Sequence, residues 1–99
     1  MRIFVRKTLK EFWELPNYRD SEQPLKAWYD ESQKAMWKNP NEIKVQYKNA
    51  SVLKDGRVVF NIHGNTYRLV VKINYDVGFI YIRFIGTHKQ YDKINANEV

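Results

Sequence analysis

The sequence predicts an α+β domain in which an N-terminal strand and two helices pack on an antiparallel sheet meander. Three observations lead there. Apolar residues recur with a helical period up to about residue 50 and alternate after it. The clusters His63-Gly64-Asn65 and Tyr75-Asp76-Val77-Gly78 cut the second half into strand-length pieces joined by turns. Ninety-nine residues at 12.0 kDa fit one domain, residues 1–99, with a modest core.

The elements follow in order. Arg2–Val5 reads as a short strand. Leu9, Phe12 and Trp13 have helical spacing, and Pro16-Asn17 ends that helix. Asp20 and Ser21 are capping residues for the next helix, with Pro24 tolerated in its first turn. Leu25, Trp28, Tyr29, Ser32, Ala35 and Met36 then form one stripe, stopped by Asn39-Pro40-Asn41, and residues 41–47 suit one more helical turn. In the strand half, Val58, Phe60 and Ile62 share a face of Arg57–Ile62, and Tyr67, Leu69, Val71 and Ile73 share a face of the next strand. Phe79–Ile85 is apolar at nearly every position; the chain leaves the sheet at Gly86-Thr87-His88 and ends in a weakly helical tail. Trp13, Trp28 and Met36 are the expected lid on the buried sheet face, leaving the other face to solvent or a ligand.

Composition narrows the function. The absence of cysteine removes a disulfide scaffold, a thiolate metal site and a cysteine nucleophile. No apolar run is long enough for a membrane span, the N-terminal apolar stretch is too short for a signal peptide, and a cytoplasmic location is expected. The net charge of +6, the pI near 9.6 and the 15% aromatic content suit a polyanionic partner, most often nucleic acid. Between Gly56 and Tyr91 five cations (Arg57, Arg68, Lys72, Arg83 and Lys89) face a single carboxylate, Asp76. Arg68 and Lys72 share the strand face opposite the apolar one, and Arg57 and Asn61 do the same on the preceding strand. That face suits a phosphate backbone, and it equally suits exposed strands that use cations to block edge pairing.

Arg83 stands among apolar neighbours, so it is expected to be either functional or held in an ion pair, with Asp92 the available partner. Thr87, His88, Tyr91 and Asp92 cluster just past the last strand, with His88 and Tyr91 on one side of a helical turn. A histidine that exchanges protons near neutral pH, a tyrosine and nearby arginines supply what RNA transesterification needs. The cluster also reads as a C-terminal turn capped by Thr87. His63, the other histidine, lies at a hairpin tip. Two histidines without cysteines or a carboxylate at ligand spacing make no zinc site, and no phosphate-binding glycine loop or serine hydrolase signature is present. No metal or cofactor is expected.

Residues 57–70, Arg-Val-Val-Phe-Asn-Ile-His-Gly-Asn-Thr-Tyr-Arg-Leu-Val, resemble the central hairpin of HigB toxins, and residues 81–92, Tyr-Ile-Arg-Phe-Ile-Gly-Thr-His-Lys-Gln-Tyr-Asp, resemble that family's C-terminal signature. The resemblance implies a RelE-like fold and the toxin of a type II toxin–antitoxin pair. It implies an endoribonuclease that cleaves mRNA in the ribosomal A site, against 16S rRNA, without metal. It implies a HigA-like helix-turn-helix antitoxin as partner and no membrane. Arg68, in Tyr67-Arg68-Leu69, inherits the role of stabilising the cleaved phosphate. The lysine base of RelE is missing, since the aligned positions are about Val59 and Asn61. A RelE arginine after the last strand is replaced by His88. Proton transfer therefore falls to His88, with Tyr91 stacking or acting as acid and Arg83 joining Arg68 at the scissile phosphate. Arg57, Asn61, His63, Lys72 and Lys89 are the expected RNA contacts, with Asn61 and Asn65 positioning a nucleotide or stabilising the hairpin. The rival expectation is a non-catalytic module that blocks translation by occupancy or serves only in a repressor complex with its antitoxin.

Overall fold

A five-stranded mixed sheet, not a three-stranded meander, organises the chain in the computed structural model, which describes Met1–Val99. The strands are β1 (Arg2–Phe4), β2 (Ser51–Val52), β3 (Arg57–Ile62), β4 (Tyr67–Asn74) and β5 (Phe79–Thr87), in the spatial order β1-β5-β4-β3-β2. The helices are α1 (Arg6–Trp13), α2 (Glu22–Lys34), α3 (Pro40–Gln46) and α4 (His88–Tyr91), with a 3-10 segment over Pro16–Ser21. The expected meander β3-β4-β5 is antiparallel throughout. β1 joins it in parallel, Arg2 opposite Phe79 and Phe4 opposite Tyr81. β2 joins through a two-residue turn in which Asp55 and Gly56 both take positive φ, 59° and 76°, the combination a right-twisted hairpin favours. Gly56 is obligatory there because a Cβ would lie 2.5 Å from the Ile73 main-chain oxygen.

Leu9, Phe12 and Trp13 of α1 and Leu25 and Trp28 of α2 bury against Val58, Phe60, Leu69, Val71, Ile73 and Ile80. Each fully buried side chain of this size contributes about 1.5–3 kcal/mol. The lid differs from expectation at one place. α2 ends at Lys34, Met36 is 80% exposed, and Trp37 fills the core, its indole donating to Gln46 Oε1 at 3.2 Å. Asn39 caps α3 by accepting from the Glu42 amide at 3.1 Å, as its position before Pro40 requires. Ser21 does not cap α2. It has helical dihedrals and its hydroxyl donates to the Tyr18 carbonyl at 2.6 Å, while Asp20 turns toward the sheet end. α1 also stops before the proline, at Trp13, and Pro16 opens the 3-10 segment.

A β-bulge resets β5. Val70 lies opposite Phe84 and Val71 opposite Ile82, which leaves Arg83 without a partner across the ladder. Ile80 and Ile82 face the core; beyond the bulge the phase inverts, so Ile85 packs against the core and Phe84 points away. The strand therefore runs on through Gly86 to Thr87, two residues past its expected end.

Candidate active site

The far end of the sheet, where Ile62, Tyr67 and Thr87 stand side by side on three strands, gathers most of the polar residues singled out above. Arg68, one residue in, is only 9% exposed and has no carboxylate within 4 Å. Its Nη2 donates to Asn65 Oδ1 at 2.7 Å, and its Nη1 donates to the main-chain oxygens of Asn65 at 3.1 Å and Tyr67 at 3.3 Å. A buried guanidinium satisfied by neutral oxygens keeps its full charge for an anion. In the loop between β3 and β4, His63 and Gly64 take positive φ, 55° and 64°, and Asn65 serves Arg68.

Asn61 and Gly86 flank Arg68 on the neighbouring strands. Asn61 also borders a cleft of about 260 Å³ shared with Tyr47, Lys48 and Gly64. Gly86 admits close packing: a Cβ would lie 2.6 Å from both Gln90 Oε1 and the Phe84 ring. The chain then turns into α4 through a capping box. Thr87 Oγ1 accepts from the Gln90 amide at 3.1 Å, and Gln90 Oε1 accepts from the Thr87 amide at 2.9 Å. The capped turn is thus real, and it fixes His88 at the first helical position. His88 Nδ1 lies 3.1 Å from Asp92 Oδ2 on an exposed surface. A carboxylate on Nδ1 holds the proton there and leaves Nε2 to accept one. Tyr91 is half-buried one turn on, and Lys89 is exposed.

His63 forms a second carboxylate–imidazole pair, its Nε2 3.6 Å from Asp20 Oδ2. Asp20 also accepts from the Tyr67 hydroxyl, and burial together with that bond pushes the Tyr67 phenol up to about 12.

Three expected members, Arg83, Lys72 and Arg57, lie elsewhere. Arg83 is exposed on the bulge, about 10 Å down β5 from Gly86, and makes no ion pair; Asp92, its expected partner, holds His88. It borders a cavity of about 570 Å³ with Lys72 and Tyr81. Arg57, expected on an open basic face, is 8% exposed and its Nε donates to the Val99 main-chain oxygen at 2.9 Å. Val59 and Val70 on that face are buried too. Asp20, expected only as a helix cap, meets His63 and Tyr67, to which no local spacing links it. Asp92, expected in the cluster after the last strand and as a partner for Arg83, pairs with His88 instead, and its position four residues after His88 on one helical turn was the available signal. No three His, Asp or Glu side chains are grouped closely enough to hold a metal ion.

Residues 21–94 match the family model described as HigB_toxin, RelE-like toxic component of a toxin–antitoxin system. The chain is 31% identical over 98 residues to the mRNA interferase toxin HigB of Escherichia coli (strain K12), covering 97% of this chain and 92% of that protein. It has the same identity and coverage with the mRNA interferase HigB of Shigella flexneri. With the α+β fold, the capped α4 and the unpaired Arg68 in place, the chain belongs to the HigB toxin family, a RelE-like toxic component of a toxin–antitoxin system.

Proposed function

We propose that this chain is a metal-independent mRNA endoribonuclease that cuts mRNA in the ribosomal A site, against 16S rRNA, and is held inactive in the cytoplasm by a HigA-like helix-turn-helix antitoxin. The observation that carries this reading is Arg68: a nearly buried cation with no carboxylate partner, at the sheet end that also bears His88. His88 Nε2 takes the proton of a 2′-hydroxyl, with Asp92 on Nδ1 stabilising the imidazolium that forms. The 2′-oxygen attacks the adjacent phosphorus, and the Arg68 guanidinium balances the charge that builds on the non-bridging oxygens. The bond from phosphorus to the 5′-oxygen breaks, and Tyr91 supplies the proton to the leaving oxygen. The products are a 2′,3′-cyclic phosphate and a 5′-hydroxyl. Asn61, His63 and Lys89 surround this end as RNA contacts. Arg57 is a substrate contact only where the residues near Val99 leave its guanidinium free. The relatives are named mRNA interferases, which supports the same activity.

Expression of the chain alone should arrest growth and give discrete breaks inside codons by primer extension. Folded His88→Ala should relieve the arrest, since an exposed turn residue tolerates truncation. Full toxicity of that variant would remove His88 from the chemistry. Products ending in 5′-phosphate would point to metal-activated water and overturn the 2′-hydroxyl mechanism.

A further inference from the structure

The cavity beside Arg83 lies outside the chemistry just described, at the opposite end of the same sheet. Lys72 and Arg83 line it, both exposed and neither in an ion pair. Tyr81 forms one wall, its ring stacked on Phe4 with centroids 5.2 Å apart and planes 16° from parallel. Asp55, Asn74 and Asp76 line it as well, and neither carboxylate is in an ion pair with a cation. Arg83 is the unpaired residue of the bulge and shares with Tyr81 the face opposite Ile80 and Ile82. The turn that carries Asp55 is tied to β4 by the Ile73 amide, which donates to the Gly56 carbonyl at 2.8 Å.

An aromatic wall beside two free cations is the arrangement that holds single-stranded nucleic acid by base stacking and phosphate attraction. The two carboxylates add a selection. A carboxylate accepts hydrogen bonds and repels acceptors. Guanine offers adjacent N1–H and N2–H donors on one edge. Adenine and cytosine set a ring acceptor beside their amine, and uracil offers a single donor between two carbonyls. We propose that this cavity binds a guanine nucleotide of the RNA strand, its base stacked on Tyr81, its edge read by Asp55 and Asp76, and its phosphate held by Arg83 and Lys72. The proposal rests on the ribonuclease reading for its ligand class. It assigns Arg83 to substrate selection and leaves the scissile phosphate to Arg68.

The test uses the full wild-type chain and 2′-O-methyl pentanucleotides, which cannot be cleaved by 2′-oxygen attack. One carries a single guanosine among uridines and the other carries uridines only. Fluorescence anisotropy should show about tenfold tighter binding of the guanosine pentamer, and amide NMR shifts should centre on Lys72, Tyr81 and Arg83. Asp55→Asn with Asp76→Asn should erase the preference. Arg83→Gln should weaken both pentamers, its fold checked by the same spectra. Equal affinity for the two pentamers, or shifts confined to Arg68 and His88, overturns the proposal even if mRNA is cleaved normally. Free 5′-GMP binding as tightly as the pentamer also overturns it, because the ligand would then be a free nucleotide. Guanosine binding in the cavity without any mRNA cleavage supports the cavity and counts against the nuclease reading alone.

Discussion

Asn65 offers a direct test of what the Arg68 guanidinium is for. Its Oδ1 accepts from Nη2 at 2.7 Å, the shortest of three bonds, while the other two hold Nη1 to main-chain oxygens. Asn65→Ala removes the side-chain bond and leaves Nη1 as a pivot. A bond from a charged donor is worth about 1.5–3 kcal/mol, and water reaching the exposed loop replaces part of it, so the net cost should be near 1 kcal/mol. For a domain of about 100 residues that lowers Tm by about 4–8 °C. The pivoting guanidinium should slow single-turnover cleavage on programmed ribosomes by about 10–100-fold, because displacement of a catalytic group by an ångström costs about that much. Ribosome binding should stay within about twofold. Asn65→Asp separates the two roles. It keeps the acceptor and adds a negative charge, so Tm should rise as the buried cation gains a partner. Cleavage should nevertheless slow, because the new carboxylate occupies the guanidinium that the phosphate needs. Wild-type cleavage by folded Asn65→Asp would refute the assignment of Arg68 to the scissile phosphate.

The other expectations concern packing and pH. Gly86→Ala places a Cβ against Gln90 Oε1 and the Phe84 ring; thermal melts should show a loss of about 1–3 kcal/mol, and cleavage should fall with it because α4 carries His88. Trp37→Ala should cost about 3–5 kcal/mol in urea unfolding, whereas Met36→Ser, at a site 80% exposed, should change stability by less than about 0.5 kcal/mol. The Tyr67 phenol, raised to about 12 from 10.0, binds its proton more tightly folded than unfolded, so its contribution is complete below pH 10 and is lost as pH rises from about 10 to about 12. Burial raises the Tyr47 and Tyr75 phenols as well, so urea titrations across that range should show a steep alkaline loss that Tyr67→Phe makes shallower without abolishing.

What the sequence could disclose depended on whether a residue's partner was near it in the chain. Leu9, Phe12 and Trp13 announce α1 because a helix repeats within itself, and Val58, Phe60 and Ile62 announce β3 by alternation. Met36 fits the stripe of α2 equally well, but the helix ends at Lys34 and the extended Ala35 swings Trp37 inward instead. β2 is two residues long and too short for any period, although Asp55-Gly56 was a hairpin signal in plain view. The pairing of β1 with β5 and the meeting of Asp20 with His63 join residues more than forty positions apart, and no local pattern encodes them. β5 is the most instructive case. Its apolar run, unbroken at nearly every position, makes Arg83 look like an anomaly that is either functional or held in an ion pair. Alternation from Ile80 and Ile82 turns Arg83 outward, and the bulge beside it then sends Ile85 to the core and carries Gly86 and Thr87 onward in the inverted phase. The segment from Tyr81 to Asp92 is continuous in sequence, yet the bulge and the capped turn divide it between two places. Arg83 goes to a cavity at one end of the sheet and His88 to the proposed active site at the other, so on these proposals a substitution in one half should alter RNA selection and a substitution in the other the rate of cleavage.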